Sequence, residues 1–458
     1  MPAPIHGPLS VPDRALTLGR FSLYGLRARL VRAVGWNLVA AVFTQGSTLV
    51  LNLVLANLWG LRAFGQFAIV QSTVTAFTAG AQAIVATTAT RYVAELRTRD
   101  PQRAGRVLGL CLAVAVALAA VAAACLIGGA RPIATVMLHQ PDLAGALAMV
   151  GVVVFFTIAS GVMAGGVAGL EGYAALGKAG ILSGTAYVAF GAAGGWKWGL
   201  IGALAGLAAS ACLQGVVLAR ALATEAVSHH VPITLTGAWQ EMAVLRRFLA
   251  PSAVNSLIAY PALWSASALL VRHADGYQQM ALFSAANTLR VLILFVPAIV
   301  NNVTLSLLNN QRGADRESSY RRMFWVNMGL TCGMVAAGAL GVVLVGPWLL
   351  GVFGRDFRAG YPVLLVLLLS TLPETVVGSA LQIAQSRERM WLWCGAVIVP
   401  CYGTLVAVAA VLTEPLGARG LAWSYVAGMS VAVVASALVV ARLGIWGGTA
   451  AAAGDVRG

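Results

Sequence analysis

Long apolar runs alternate with short polar segments along the whole chain, and most of the runs are long enough to cross a lipid bilayer. One crossing needs roughly 20 apolar residues, and this rule predicts about twelve transmembrane helices. The first six predicted crossings cover residues 34–58, 66–90, 107–128, 144–168, 179–195 and 199–218. The second six cover residues 248–270, 279–306, 323–345, 361–383, 391–412 and 418–441. The pattern predicts an all-α, polytopic membrane protein.

The longest polar interruption, Arg220 to Arg247, divides the crossings into two groups of six. We expect a cytoplasmic linker there, between two lobes of parallel orientation related by a pseudo-two-fold axis along the membrane normal. A weak repeat agrees with this, because Gly199-Leu-Ile-Gly202 and Gly417-Ala-Arg-Gly420 open the last crossing of each lobe. Chance matching between Ala/Gly-rich helices is the alternative. The predicted parts are a leader 1–33, N-lobe 34–218, linker 219–247, C-lobe 248–442 and cytoplasmic tail 443–458.

Composition supports the membrane assignment and gives an orientation. Of the 458 residues 59% are hydrophobic and 10% charged, whereas about 25% are charged in a soluble domain. The net charge of +15 lies in short loops, which favours anionic headgroups over nucleic acid as its partner. With a cytoplasmic N-terminus, the inner segments hold 22 Lys and Arg residues and the outer segments seven. This bias predicts a multi-pass bacterial inner-membrane protein with both termini in the cytoplasm.

The leader and the cysteines add little chemistry. No cleavable signal peptide is evident. Leu16 to Val34 has one basic and one apolar face, which predicts a short interfacial helix on the cytoplasmic side, with an unstructured basic leader as the alternative. The six cysteines lie in apolar runs without CxxC spacing. We therefore expect reduced, buried packing residues and no metal site or cofactor.

Polar side chains at membrane depth concentrate in crossings one, two, seven and eight, the same two positions in each lobe. This distribution is expected if those four helices line a central cleft. Hydrogen bonds that only hold the helix bundle together are the alternative for any single residue. The candidate substrate-binding residues of the cleft are Gln45, Asn52, Gln71, Asn255, Ser284, Asn287 and Arg290.

The strongest single candidate is Arg290, near the middle of crossing eight. A charge at that depth costs about 2.5–3.5 kcal/mol on insertion scales, so it normally faces water or a partner. Ser284 and Asn287 precede it at spacings of three and share its helical face. A guanidinium fork suits phosphate, and an amide suits sugar hydroxyls or phosphate. Pro297 should loosen the same helix.

Glu374 is the acidic residue of crossing ten, directly after Pro373. It has two interpretations. It is either a proton or cation site that couples transport to an ion gradient, or the structural counter-ion of Arg290.

Catalytic function is not supported by the sequence. The five His residues are scattered in predicted loops, and no phosphate-binding glycine loop is present. The longest soluble segment between crossings is too short for a catalytic domain. We therefore expect a protein that is not an enzyme.

Several loose motifs, in order, resemble the Wzx-type polysaccharide flippases of the multidrug/oligosaccharidyl-lipid/polysaccharide (MOP) superfamily from about Trp36 to Arg442. Phe283 to Pro297 looks like the eighth helix of that family. The other matching segments are Leu58-Trp-Gly-Leu-Arg-Ala-Phe-Gly-Gln-Phe67, Ala89-Thr-Arg-Tyr-Val-Ala-Glu95, Gly166-Val-Ala-Gly-Leu-Glu-Gly-Tyr173, Phe248-Leu-Ala-Pro-Ser252 and Phe353-Gly-Arg-Asp-Phe357.

The resemblance implies two six-helix lobes around a mostly cationic cavity. It also implies translocation of an undecaprenyl-pyrophosphate-linked oligosaccharide by alternating access, for O-antigen, capsule or exopolysaccharide assembly. Implied partners are this lipid-linked substrate, the bilayer, a polysaccharide polymerase and a chain-length regulator. The chain departs from the family pattern because Arg290 is almost its only cation at clear membrane depth.

Two other functions stay open. An ion-coupled multidrug antiporter of the same superfamily needs an anionic site for a cationic drug, but the N-lobe crossings lack acidic residues in their cores. A non-transporting scaffold of a glycan-assembly complex explains the helices but not a charged, proline-containing crossing.

Overall fold

The computed structural model describes residues 14–309, 317–387 and 389–442. The predicted tail 443–458 and the first thirteen residues of the leader lie outside this part. The first half of the chain forms helices α1 (Arg14–Leu96), α2 (Pro101–Pro132), α3 (Ala144–Gly169) and α4 (Tyr173–Ser228). The second half forms α5 (Met242–Val271), α6 (Gly276–Asn309), α7 (Glu317–Phe353), α8 (Tyr361–Leu369), α9 (Thr371–Ser386), α10 (Met390–Trp393), α11 (Val399–Leu416) and α12 (Ala418–Arg442).

Short 3₁₀ and π turns lie between or at the ends of these helices. They are the 3₁₀ turns Pro141–Leu143, Ala238–Glu241 and Arg355–Gly360, and the π turns Ile133–Met137 and Cys394–Ile398. No strand occurs in the described residues. The predicted all-α class is confirmed.

Nine helical segments of the described chain are long and apolar enough to span a membrane. Two of them, in α1 and α4, are each interrupted by a glycine and fold back as two crossings. Helix α6, which carries Arg290, covers the eighth predicted crossing, residues 279–306. With α6 added and α1 and α4 counted twice, every predicted crossing is helical.

The two halves end in the same kind of hairpin. Gly199 has φ 62 and ψ −145, and Gly417 has φ 55 and ψ −130. Glycine reaches these angles without the Cβ clash of other residues. Three residues later, Gly202 and Gly420 each lie against a carbonyl group of the preceding crossing, that of Gly194 and of Leu412 respectively. The repeat that was weak in sequence therefore recurs as backbone geometry.

The predicted linker is shorter than the polar stretch suggests. Helix α4 extends to Ser228, and α5 begins at Met242. The backbone between them packs on α2, where Gly105 and Gly109 leave room for the carbonyl groups of Pro232 and Thr234. We call helices α1–α4 the N-lobe, and the linker is therefore a strap on this lobe. The polar residues at both ends of the predicted linker belong to the helices α4 and α5.

An ion pair holds the end of this strap. The buried carboxylate of Glu241 accepts hydrogen bonds from Arg103 Nε at 2.9 Å and Nη2 at 3.0 Å. This two-point geometry is the strong form of an arginine–carboxylate pair. The start of α5 is therefore tied to the N-lobe.

Two minor expectations need correction. The predicted interfacial leader helix is not separate, because α1 begins at Arg14 and continues into the first crossing. Cys111, Cys394 and Cys401 are buried as expected, but Cys125 is exposed and Cys212 and Cys332 are partly exposed. An apolar run in a membrane does not have to face the protein interior.

The two halves meet tightly at one end, near the segments predicted to face outward. We call helices α5–α12 the C-lobe. Arg272 Nε donates to the Met137 carbonyl group at 3.1 Å, and Tyr277 Oη donates to that of Leu138 at 2.9 Å. Gly65 is in direct contact with the Tyr277 backbone, where any Cβ would overlap with its carbonyl oxygen. Small residues here allow close approach of the lobes.

Candidate functional site

A cavity of about 460 Å³ lies between the two lobes. Its walls come from both arms of α1, from α5 and α6, and from Tyr425 of α12. Apart from Tyr425, these walls belong to crossings one, two, seven and eight, in which the polar residues were predicted to line a cleft. The polar residues on the walls are Gln45, Thr48, Asn52, Gln71, Ser72, Thr75, Tyr260, Trp264, Ser267, Ser284, Asn287, Thr288, Arg290 and Tyr425.

Helical spacing explains why these residues meet. Gln45, Thr48 and Asn52 are three and four positions apart, which places them on one face of the first arm of α1. Ser284, Asn287 and Thr288 form the corresponding face of α6. The two faces touch through a hydrogen bond of 3.4 Å from Asn52 Nδ2 to Thr288 Oγ1. The polar stripes of both lobes therefore face one shared space.

Arg290 lies on the wall of this cavity and is held by three neighbours. It is 6% exposed. Its Nε donates to Asn287 Oδ1 at 3.0 Å, and its Nη1 pairs with the carboxylate of Glu374. The guanidinium carbon lies 5.2 Å from the centre of the Tyr425 ring, within the range of a cation–π contact. The charge is thus oriented by the protein rather than directed into lipid.

The guanidinium keeps donors for a ligand. Arginine has five N–H groups, and no acceptor among the described residues bonds Nη2. Because the side chain lines the cavity, an anionic group entering there can reach these donors. A phosphate oxygen is the natural acceptor for such a fork.

Glu374 is the partner of Arg290, so the question of whether the two residues pair is answered. Glu374 lies in the first turn of α9, four positions after the break between α8 and α9 at Ser370. Its side chain is 35% exposed, against 8% for Arg290. The pair is asymmetric, with a buried cation and a partly accessible acid. A coupling role for Glu374 stays a prediction.

Six of the seven predicted cleft residues line the cavity, and Asn255 does not. Asn255 is nine positions before Trp264 on α5, about two and a half turns, which directs it to the opposite side of the helix. Its Oδ1 is buried without a hydrogen-bond partner among the described residues. The placement of Asn255 in the cleft is therefore corrected, while the substrate-binding role of the other six stays a prediction.

The sequence interpretation missed the aromatic part of the site. Tyr260 and Trp264 are four positions apart on α5, a spacing that could have indicated a shared face. Phe67, Phe283, Phe295 and Tyr425 also line the cavity. Tyr425 lies in a crossing with few polar residues, so only the packing of α12 against α6 reveals it.

Similarity to solved structures defines the fold of the chain. The chain superposes with a TM-score of 0.69 on an inward-facing multidrug resistance MATE family transporter of the MOP superfamily, at 16% identity and over 90% of this chain and 94% of that one. A MOP superfamily transporter from Pyrococcus furiosus Vc1, described as having a binding pocket of reverse polarity, gives the same TM-score and identity over 91% and 95%. The chain therefore has the two-lobe fold of these transporters.

Two relatives found by sequence are polysaccharide export proteins. The chain is 26% identical over 422 residues to the EPS I polysaccharide export inner membrane protein EpsE of Ralstonia nicotianae, covering 88% of this chain and 85% of the relative. The protein of that name from Ralstonia solanacearum is 28% identical over 294 residues, 62% of this chain and 64% of the relative. No protein-family model matches the chain. The predicted resemblance to polysaccharide flippases of the MOP superfamily is confirmed.

Proposed function

We propose that this protein is a flippase that moves an undecaprenyl-pyrophosphate-linked oligosaccharide from the inner to the outer leaflet of a bacterial inner membrane. The single observation that carries the proposal is the cavity between the lobes with Arg290 on its wall. The pyrophosphate would bind the free guanidinium donors. The sugars would occupy the neutral polar space, and the prenyl chain would stay in lipid.

The electrostatics of the cavity favour an anion over a cationic drug. Arg290 is the cationic residue among those that line the cavity, and no acidic residue is among them. Glu374 is already engaged by Arg290. A multidrug antiporter for cations would need an exposed acid in the same space. The named relatives, which are polysaccharide export proteins, support the same choice.

Alternating access would proceed by rocking the N-lobe against the C-lobe around this cavity. Glu374, being partly exposed, is our candidate for coupling to an ion gradient. We place both termini in the cytoplasm, so the tight end near Tyr277 would face the periplasm. A reporter fused after Arg355 should then read as periplasmic and one fused after Arg99 as cytoplasmic. The opposite readings would reverse this orientation.

The function is tested by complementing a deletion strain and measuring surface polysaccharide together with lipid-linked precursors. The parent gene should restore surface polysaccharide, whereas Arg290→Ala should leave it absent and let lipid-linked oligosaccharide accumulate. Arg290→Lys should retain part of the export, since it keeps the charge but loses the fork. Arg419→Ala, at an exposed position outside the cavity, is the matched control.

Three outcomes would contradict the proposal. Full export by Arg290→Ala at normal protein level removes Arg290 from the mechanism. Normal polysaccharide in the deletion strain argues against an export role. Surface polysaccharide lost without accumulation of the lipid-linked precursor favours a scaffold that is needed earlier, for assembly of the glycan.

A further inference from the structure

We infer that the wall of the cavity formed by Gln71, Tyr260 and Trp264 is a binding subsite for a neutral pyranose sugar, separate from the anion site at Arg290. The inference rests on the proposed function and adds where the sugar next to the pyrophosphate would bind. It is carried by three features of this wall, namely a fixed aromatic ring, an unpaired acceptor and the absence of charge.

The indole of Trp264 is held in place from the opposite lobe. Its Nε1 donates to Thr73 Oγ1 at 2.9 Å. The Thr73 hydroxyl is fully buried and donates in turn to the Ile69 carbonyl group at 2.9 Å. Because the only polar atom of the indole is already satisfied, the ring serves the cavity as an oriented apolar surface.

Tyr260 extends this aromatic surface along α5. It lies one turn before Trp264 and lines the same cavity. The two faces of a pyranose ring carry C–H groups, so they can pack on aromatic rings and remove apolar surface from water. A hydrated inorganic anion gains nothing from such a wall.

Gln71 supplies the polar complement. Its Nε2 donates to Tyr187 Oη at 3.1 Å, which fixes the amide. Its Oε1 is buried and has no hydrogen-bond donor among the described residues. An unpaired buried acceptor is costly, because it has lost its hydrogen bonds to water without gaining a protein partner. A sugar hydroxyl entering the cavity would satisfy it.

The neighbouring hydroxyl groups are also presented as acceptors. Thr48, Ser72 and Thr75 each donate to a backbone carbonyl group of their own helix. A ligand in the cavity can therefore bond to these hydroxyl groups only by donating to their remaining lone pairs. These hydroxyl groups and Gln71 Oε1, all on the N-lobe, accept hydrogen bonds, whereas Arg290 on the other lobe donates them. The division fits a ligand with hydroxyl donors at one part and phosphate oxygens at another.

The test compares the affinity of the purified, lipid-reconstituted protein for two probes, undecaprenyl pyrophosphate and undecaprenyl-pyrophosphoryl-N-acetylglucosamine. The readout is the ratio of the two dissociation constants, because general damage to the fold lowers both affinities alike. In the parent protein we expect the sugar to tighten binding about tenfold, which corresponds to about 1.4 kcal/mol.

Substitutions at this wall should change the ratio of the two dissociation constants. Trp264→Ala and Gln71→Ala should reduce it to within about twofold of unity, since each removes one part of the sugar contact. Trp264→Phe should keep most of it, because a ring remains after the N–H group is lost. Trp348→Ala and Gln385→Ala, exposed positions outside the cavity, are the matched controls and should leave the ratio unchanged.

Arg290→Ala separates this inference from the proposed function. It should weaken the binding of both probes and leave the ratio of their dissociation constants as in the parent. A parental ratio near unity, or an unchanged ratio in Trp264→Ala, overturns the sugar subsite while the flippase proposal stands. Absence of saturable binding of either probe, or equal binding by Arg290→Ala, overturns the proposed function itself.

Discussion

The N-lobe and the C-lobe present opposite chemistry to the cavity they share, although both end in the same hairpin. The N-lobe contributes neutral amides and hydroxyls, as on Gln45 and Gln71. The C-lobe contributes a charge, Arg290, and most of the aromatic rings. The two lobes therefore share the same hairpin geometry, while the side chains on their two cavity walls differ. This difference is expected for a ligand that is charged at one end and rich in hydroxyls elsewhere.

The contact between the lobes around Gly65 shows a similar asymmetry. There the N-lobe offers a glycine and backbone carbonyl groups, and the C-lobe offers the long donors Arg272 and Tyr277. At Asn57 the direction is reversed, since its Nδ2 donates to the Val352 carbonyl group of the C-lobe. The small residue on the N-lobe allows the two backbones to approach closely. Substitutions that erase this difference should therefore affect transport more than substitutions elsewhere.

The largest effect is expected from Gly65→Ala. Its new methyl group would overlap with the Tyr277 carbonyl oxygen, and backbone at this contact cannot yield as a side chain can. We expect the tight end to open and export to be lost. The measurement is cross-linking by a short thiol reagent between cysteines at positions 57 and 352, whose Asn57 Nδ2 and Val352 carbonyl oxygen are 2.6 Å apart in the parent.

Gly128→Ala in α2 is the control for this change, since its added methyl group meets open space. It should leave cross-linking and export at the level of the parent. An equal cross-linking yield in Gly65→Ala and the parent would show that the lobes do not depend on the small residue for contact.

The next effect concerns the charge pair of the C-lobe. Removing one partner of a buried pair costs about 3–5 kcal/mol when both are buried, and we expect less here because Glu374 is partly exposed. Arg290→Met and Glu374→Leu should each lower the melting temperature of the purified protein, and the double substitution should recover most of the loss. Export should stay absent in the double variant, because the ligand has lost its guanidinium. Recovery of export together with stability would instead assign the pair a structural role alone.

A smaller effect is expected at the two hairpins that have the same backbone geometry in both lobes. Alanine at a sparsely populated backbone conformation that glycine adopts readily costs about 1–3 kcal/mol, so Gly199→Ala and Gly417→Ala should both destabilise the protein. Gly417→Ala should cost more, because its Cβ would lie 2.9 Å from Gln279 Oε1, which accepts the Ala418 N–H group. Gly199 has open space around it. Melting temperatures of the two variants measure the difference, and a larger loss at Gly199 would contradict the explanation.

The smallest effect is expected from Thr73→Val, which removes the acceptor of the Trp264 indole without changing the ring. The loss of one buried hydrogen bond is worth about 1 kcal/mol. The free energy of unfolding should fall by that order, and export should continue at a reduced rate. A loss as large as that of Arg290→Ala would mean that this contact controls the movement of the lobes.

Much of the helical architecture could be predicted from sequence because bilayer thickness sets the length of each crossing. The position of the cleft followed from the unequal distribution of polar side chains between crossings. Asn255 was misplaced because composition counts a polar residue on a helix but not its face. Tyr425 was missed because it meets Arg290 only through the packing of α12.

The predicted extent of the linker was wrong for a different reason. Polarity alone treated residues 219–247 as one loop, although helices continue into membrane interfaces and beyond them. The backbone strap on Gly105 and Gly109 could not be foreseen, because close approach of a carbonyl group to a glycine leaves no sign in hydrophobicity.

The most direct test of the central claim asks whether the space beside Arg290 is an aqueous site that receives the pyrophosphate. Ser284→Cys places a thiol on the cavity wall without touching Arg290, and a membrane-impermeant charged thiol reagent reports its access to water. Leu340→Cys, on an exposed apolar position of α7, is the lipid-facing control, and the parent chain is the blank. The account predicts that Ser284→Cys is labelled and that undecaprenyl pyrophosphate slows the labelling. Absence of labelling, or labelling that the lipid does not slow, would contradict it.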